Sequence, residues 1–267
     1  MAEVVLITGA SSGIGKAIAE HLAKNKYRVY GTSRNPKAEE SNGVRFLPLD
    51  VTRPESITNA VNELLIREKR IDFLINNAGK GISGPLEEIP ESEIKSIFET
   101  NYFGPINLIK AVLPIMREQR AGMIINVTSI AGFMGLPFRS AYSATKGALG
   151  LTTEALRMEL KEFNVKLTNV APGDFATNIA AGRYHAPSNA QSPYAKSYGK
   201  SLDMMDAHVA DGQSPDVMAD AVLAIMKTEQ PKVNYKVGVF MQKFSVFLKG
   251  VLPGKFYERL LLNHYKL

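Results

Sequence analysis

The 267-residue chain has no cysteine and only four histidines. Without cysteine there can be no disulfide, no thiolate zinc site and no cysteine nucleophile. The histidines are far apart in sequence and form none of the ligand patterns that metal ions require. They are His21, His185, His208 and His264. We therefore expect no metal centre.

Long apolar runs are also missing. No window contains the roughly 20 uncharged apolar residues that a membrane-spanning helix needs. The first residues lead directly into a strand pattern, and no charged and apolar leader precedes it. The expectation is a soluble, cytoplasmic protein.

The net charge of +6 is concentrated at the carboxyl end. From residue 232 onward there are seven Lys and Arg residues and one Glu, so the rest of the chain is neutral. A basic tail on a neutral body does not predict a nucleic-acid groove. We expect no nucleic-acid partner.

Short β-branched runs alternate with amphipathic segments of helix length, which is typical of βαβ units around a parallel sheet. Several runs are apolar on both faces, as in a sheet covered by helices on both sides. The predicted strands are 4–8, 28–33, 44–49, 72–76, 123–128, 166–171 and 235–237. The predicted helices include 15–24, 54–68, 92–116, 141–162 and 215–226. The fold class predicted is α/β, a doubly wound Rossmann-type parallel sheet of about seven strands, in one domain over residues 1–267.

A glycine-rich turn joins the first predicted strand to the first predicted helix. Gly9, Gly13 and Gly15 allow a tight turn and close approach to a ligand. The helix that follows directs its free N–H groups at the turn, which suits a pyrophosphate. A P-loop is disfavoured because Ala10 and Ala17 occupy positions where that motif needs Gly and Ser or Thr. The predicted phosphate-binding residues are Gly9, Ser11, Ser12, Gly13, Ile14 and Gly15.

The spacing Gly9-x-x-x-Gly13-x-Gly15 departs from the common dinucleotide fingerprint. It resembles the short-chain dehydrogenase/reductase family, in its branch of single-domain enzymes of about this length. The resemblance implies that Asp50 and Val51 lie near the adenine and that the Asn-Asn-Ala-Gly element borders the cofactor through Asn77, Ala78 and Gly79. It also implies that the Pro-Gly-x-x-x-Thr element cups the nicotinamide amide through Pro172, Gly173 and Thr177.

The end of the second strand indicates which cofactor is bound. A carboxylate there favours NAD, whereas a basic residue receives the 2′-phosphate of NADP. The sequence has Ser33-Arg34 and no carboxylate at this point. A guanidinium can bind a phosphate through two hydrogen bonds. We therefore expect NADP(H) in preference to NAD(H), with Arg34 as the discriminating residue.

Tyr142 and Lys146 are four residues apart on a predicted helix, so their side chains project from one face. A lysine ammonium beside a tyrosine favours the phenolate, which predicts that Tyr142 can exchange a proton. The resemblance adds Ser129, after the fifth long strand, and Asn101, in the segment 99–104. It implies a catalytic tetrad of Asn101, Ser129, Tyr142 and Lys146, with Asn101 bending its helix and holding a water. Both cofactor and substrate would then contact Tyr142, and Lys146 would also bind the cofactor.

Two segments are expected to determine the substrate. Residues 178–212 have no strong periodicity and follow the sixth strand, where insertions act as lids or binding loops. Asp174 and Phe175 precede this segment and are expected to face substrate, with Ser129 and Tyr142. The extension 239–267 has apolar residues at helical spacing with lysines between them. It could pack on the core, cover an apolar pocket or lie on an anionic membrane surface.

The function these features imply is NADP(H)-dependent hydride transfer between the nicotinamide and a ketone, aldehyde or secondary alcohol. The tail resembles those of relatives that act on steroids, retinoids or other lipophilic carbonyls. Two alternatives stay open: a 3-oxoacyl-thioester reductase of fatty-acid synthesis, and a non-catalytic sensor of NADP(H). The expected partners are a small-molecule carbonyl or alcohol and, from the resemblance, a second copy or a tetramer of this chain.

Overall fold

The structure is a computed structural model and describes residues 2–176, 182–187 and 189–267. Its strands are β1 (Val4–Ile7), β2 (Arg28–Ser33), β3 (Glu40–Ser41), β4 (Val44–Pro48), β5 (Phe73–Asn76), β6 (Ile82–Ser83), β7 (Gly122–Val127), β8 (Val165–Pro172), β9 (Tyr184–His185) and β10 (Asn234–Val237). Its α-helices are α1 (Gly13–Lys24), α2 (Pro54–Glu68), α3 (Glu91–Phe98), α4 (Gly104–Gln119), α5 (Ser140–Glu159), α6 (Ala195–Ala210), α7 (Pro215–Met226), α8 (Phe240–Val251) and α9 (Gly254–Tyr265).

The main sheet has eight strands in the order β10-β8-β7-β5-β1-β2-β4-β3. Seven of them are parallel, and β3 pairs antiparallel with β4 at one edge. The chain builds outward from β1 in one direction through β2 and β4, and then in the other through β5, β7, β8 and β10. The strand order therefore reverses between β1 and β5, the position where α/β sheets bind ligands at their carboxyl edge. The doubly wound fold predicted from the sequence is confirmed.

Two apolar cores cover the two faces of the sheet. Side chains alternate along a strand, so Val4 and Leu6 of β1 face one core, and Val5 and Ile7 face the other. The first core is filled mainly by α2 and α4, and the second by α1 and α7. Because both faces are covered, β1 is apolar and buried on both sides, as the sequence suggested for several strands.

Several elements differ from the sequence-based prediction. The two-residue strands β3, β6 and β9 were not predicted. The helix predicted over 92–116 is two helices, α3 and α4, joined by a π-helical turn at Glu99–Phe103. The segment 178–212 is not irregular in its second half, because 195–210 form α6. That helix buries Tyr198, Ser201 and Met205, spaced three and four residues apart, and this packing stabilises it despite its small polar residues.

The carboxyl-terminal helices α8 and α9 pack against the core through one side only. Val246 and Tyr257 lie in a cluster with Ile130 and Met134, and the Tyr257 hydroxyl contacts the Met134 sulfur at 2.8 Å. The outer side of α8 carries exposed stacked rings of Phe240, Phe244 and Phe247. Within the described ranges, no helix has the length and apolarity needed to cross a bilayer.

The turn between β1 and α1 has no space for side chains at Gly9 and Gly15. Gly9 has a φ of +67°, which favours glycine, and a Cβ there would lie 3.0 Å from the Cα of Ala78. A Cβ on Gly15 would collide with the carbonyl oxygen of Gly9 and with Nδ2 of Asn77. The glycines therefore allow α1 to approach the end of β5 closely.

The Gly15→Ala variant should lower the free energy of unfolding by on the order of 2–3 kcal/mol, because the new methyl group meets backbone that cannot move aside. Chemical denaturation of wild type and variant would measure the difference. Gly135→Ala is the matched control, since a Cβ at Gly135 meets no atom within 4 Å. Equal losses in the two variants would contradict the argument from close approach.

Candidate active site

A cleft of about 590 Å³ lies at the carboxyl edge of the sheet, where the strand order reverses. Its walls come from the ends of β1, β2, β4, β5, β7 and β8 and from the start of α1 and α5. Fifteen of the seventeen predicted cofactor residues line it: Gly9, Ser11, Ser12, Gly13, Ile14, Gly15, Arg34, Asp50, Val51, Asn77, Ala78, Gly79, Tyr142, Lys146 and Pro172. Gly173 lies in an adjoining smaller pocket. Thr177 is outside the described residues.

One end of the cleft is suited to phosphate. Ser12 precedes α1 in extended conformation, and its side chain makes no capping hydrogen bond to the helix. The first turn of α1 contains no acidic residue. The N–H groups and the positive end of the helix dipole are therefore available to an anion in the cleft.

Another part of the cleft lies at the ends of β2 and β4. Ser33 has a buried Oγ with no hydrogen-bond partner among the described residues, and the exposed Arg34 follows it. Burial alone would raise the pKa of Asp50, but hydrogen bonds from Thr52 and the charge of Arg34 lower it overall. This part of the cleft thus has an unpartnered hydroxyl beside a guanidinium, a combination suited to a phosphate.

A smaller pocket of about 100 Å³ adjoins the cleft, and Tyr142 lines both cavities. Ser129, Asp174 and Phe175, which we expect to face substrate, also line the pocket, and so does Gly173, which we expect to border the cofactor. Ser129 accepts a hydrogen bond from the backbone N–H of Ala131 at 3.2 Å, and its hydroxyl is hydrogen-bonded to Tyr142. Two hydroxyl groups therefore meet at the junction of the cavities.

Lys146 is buried one helical turn from Tyr142, and its Nζ donates to the carbonyl oxygen of Val127 at 2.9 Å. Burial lowers the pKa of Lys146 from 10.5 to about 8. Burial raises the pKa of Tyr142, while the Ser129 hydrogen bond and the charges of Arg139 and Arg183 act in the opposite direction. The arginines are two cations near Tyr142 that the sequence analysis did not consider, and the expected effect of Lys146 on Tyr142 stays a prediction.

Asn101 lies in the π-helical turn between α3 and α4 and is fully buried. Its Oδ1 accepts from the backbone N–H of Lys80 at 2.9 Å, and its Nδ2 donates to the carbonyl oxygen of Lys80 at 2.9 Å. Asn101 therefore does not line the cleft. It fixes the backbone next to Gly79, which borders both Asn101 and Nζ of Lys146.

The geometry can be compared with known proteins. Residues 3–187 match the family model described as short chain dehydrogenase. The chain is 40% identical over 264 residues to the 3-ketodihydrosphingosine reductase of Bacteroides thetaiotaomicron, covering 98% of each chain. The chain belongs to the short-chain dehydrogenase/reductase (SDR) family.

Solved SDR structures have the same fold. A short-chain dehydrogenase from Streptomyces avermitilis is similar with a TM-score of 0.84 and 33% identity, covering 99% of this chain and 97% of its own. A short chain dehydrogenase from Burkholderia cenocepacia in complex with NADP has a TM-score of 0.77 and 27% identity, covering 97% and 98%. The cleft of this SDR also fits a dinucleotide, since it joins a free helix N-terminus, tight glycine positions and an unpartnered hydroxyl beside a guanidinium.

Three residues of the SDR site were missed by the sequence analysis. Arg139 and Arg183 line the small pocket, and Gln242 of α8 reaches its edge by donating from Nε2 to Asp174 at 2.7 Å. Arg139 lies three residues before Tyr142, so helical spacing could have indicated it. No sequence signal connects Arg183 or Gln242 with the pocket.

The depressed pKa of Lys146 has a consequence for stability. Between about pH 8 and pH 10.5 the unfolded chain binds a proton at this lysine and the folded chain does not. The free energy of unfolding of wild type, relative to Lys146→Met, should therefore rise across this window by on the order of 3 kcal/mol. Denaturation at a series of pH values would measure this difference, with exposed Lys37→Met as the control. A difference independent of pH would contradict the lowered pKa of the buried Lys146.

Proposed function

We propose that the protein is an NADP(H)-dependent oxidoreductase that interconverts a lipophilic ketone or aldehyde and the corresponding alcohol. One observation carries this proposal: Tyr142 lines both a cleft that fits a dinucleotide and a small pocket with a second hydroxyl, that of Ser129. A proton donor at the junction of a cofactor site and a substrate site is what carbonyl reduction requires. A redox sensor without turnover would not need this arrangement.

The residues have separable roles in the proposed reaction. Bound NADPH would supply the hydride. Ser129 and Tyr142 donate hydrogen bonds to the carbonyl oxygen and hold it more strongly as negative charge develops. Tyr142 then transfers its proton to that oxygen, and the positive charges of Arg139 and Arg183 favour the phenolate left behind. Lys146, held by Val127, lies on the cofactor side of Tyr142, and Asn101 keeps the Gly79–Lys80 backbone beside it.

The proposal specifies NADP(H) rather than NAD(H). The unpartnered Oγ of Ser33 and the guanidinium of Arg34 both line the cleft at the end of β2. Together they offer a charged group and a hydroxyl to a 2′-phosphate, and no carboxylate stands at the end of β2 to bind a free 2′-hydroxyl.

The lipophilic character of the substrate is supported by the tail and by the relatives. The exposed aromatic side of α8 begins beside the small pocket, where Gln242 contacts Asp174. The Bacteroides relative is named for 3-ketodihydrosphingosine, a long-chain ketone, and human retinol dehydrogenase 8 is 30% identical over 275 residues, covering 96% of this chain and 88% of its own.

A 3-oxoacyl-thioester reductase is the main alternative, and NADPH oxidation with an acetoacetyl thioester and with long-chain ketones would separate the two.

Tyr142→Phe should reduce turnover at least about a hundredfold, because the proton donor is lost, while the dissociation constant of NADPH changes little. The measurement is NADPH oxidation over a panel of ketones and aldehydes, with NADPH binding followed by fluorescence. Tyr27→Phe is the control, since Tyr27 packs edge-on against Phe73, remote from the cleft. Retained turnover in Tyr142→Phe would refute the assignment.

Arg34→Ala should weaken NADPH binding about 10-fold to 100-fold, as expected for the loss of hydrogen bonds to a charged group, and should leave NADH binding nearly unchanged. Titration of both cofactors would measure this. Lys37→Ala removes a cation from the same exposed segment outside the cleft and serves as the control. An unchanged ratio of the two affinities in Arg34→Ala would rule out Arg34 as the discriminating residue.

A further inference from the structure

The small pocket beside Tyr142 contains two guanidinium groups. Arg139 immediately precedes α5, one helical turn before Tyr142, and Arg183 immediately precedes β9. Both line the pocket that Ser129 and Tyr142 also line. Proton transfer from Tyr142 to a carbonyl oxygen does not require two cations beside that oxygen.

Neither guanidinium forms an ion pair with a residue that the structure describes. Across residues 2–176, 182–187 and 189–267, no carboxylate lies within 4.0 Å of Arg139 or Arg183. Their hydrogen-bond acceptor is instead the buried sulfur of Met205, which is 2.7 Å from Nε of Arg139 and 4.0 Å from Nη1 of Arg183. A thioether is a weak acceptor, and each guanidinium has five N–H donors. Within the described part of the chain, the other donors of the two groups have no hydrogen-bond acceptor.

Two acidic residues act on the guanidinium of Arg183. Asp174 is bonded to Gln242 through Oδ2, and the charges of Asp174 and Asp206 oppose the lowering of the pKa of Arg183. Burial lowers the pKa of Arg183, and the like charge of Arg139 lowers it further. An anion placed between the two guanidinium groups would relieve their repulsion and supply acceptors for both.

We propose that Arg139 and Arg183 together bind an anionic group of the substrate, a carboxylate or a phosphate ester, a few bonds from the carbonyl. This inference rests on the proposed function, since it concerns the substrate of the same site. A pocket of about 100 Å³ is smaller than sites for whole drug-sized ligands, so it suits the carbonyl and its nearest substituents. The alkyl chain then leaves the pocket, and the charged end stays on the arginines.

The test uses ketones of one medium chain length that differ only in the group near the carbonyl. One carries a phosphate ester on the adjacent carbon, one a carboxylate two carbons away, one a free hydroxyl and one an ammonium group. Wild type should show a kcat/KM at least about 10-fold higher for the better of the two anionic ketones than for the hydroxyl ketone. Whether the phosphate or the carboxylate is preferred identifies which anion the arginines serve.

Variants assign this preference to the arginines. In Arg139→Met and in Arg183→Met, the ratio of kcat/KM for the anionic over the hydroxyl ketone should fall about 10-fold or more, through KM. The ratio is the readout because a general effect on Tyr142 alters both substrates equally. Arg67→Met removes an exposed arginine of α2 that is paired with Glu63, and should leave the ratio unchanged.

Calorimetry keeps the inference separate from the proposed function. The alcohols corresponding to the four ketones are titrated into wild type and the Arg→Met variants in the presence of NADPH, to which an alcohol cannot transfer a hydride. A preference for the anionic alcohols that depends on the arginines supports the inference even if no ketone is reduced. Failure to reduce any of the ketones would instead refute the proposed function. A wild type that prefers the ammonium or hydroxyl compounds, or variants that weaken all four alike, would overturn the anion site.

Discussion

The geometry of the site depends on the hydrogen bonds that tie the end of β1 to the end of β5. The Thr8 hydroxyl accepts from the backbone N–H groups of Asn77 and Ala78, each at 3.0 Å, and Nδ2 of Asn77 donates to the carbonyl oxygens of Thr8 and Gly9 at 2.9 and 3.2 Å. These bonds hold two parallel strands together at the point where the chain changes direction across the sheet. Only glycine fits at position 15, because a Cβ there would collide with the carbonyl oxygen of Gly9 and with Nδ2 of Asn77. The start of α1 therefore points into the cleft.

Burial and nearby charges have opposing effects on the pKa of Tyr142. Burial raises the pKa of the phenol and lowers that of Lys146, so both groups favour their neutral forms. The two arginines of the small pocket act on Tyr142 from the substrate side and favour the phenolate.

The sequence predicted the sheet because apolar β-branched runs mark the buried strands. The glycine turn predicted the phosphate end of the cleft, whereas the resemblance to the SDR family, and not a local pattern, implied most of its other residues. The short strand β3 could not be predicted, since its two residues depend on antiparallel pairing with β4 and have no periodicity of their own. Arg183 and Gln242 reach the pocket from segments far from Tyr142 in the chain, and nothing in their neighbours indicates that contact. Arg139 lies three residues before Tyr142, so helical spacing predicts that the two side chains are neighbours. Arginine is so common on helix surfaces that this spacing alone does not indicate a functional residue.

The central claim is that Tyr142 joins a cofactor cleft to a carbonyl pocket, so that hydride and proton reach the same carbonyl group. The most direct measurement uses NADPH labelled with deuterium at the transferable position, with a long-chain ketone in ordinary water, followed by mass spectrometry of the alcohol. We predict one deuterium on the carbinol carbon of the product and none on its oxygen, which takes its proton from Tyr142 and solvent. Oxidation of NADPH without deuterium in the alcohol would contradict the account.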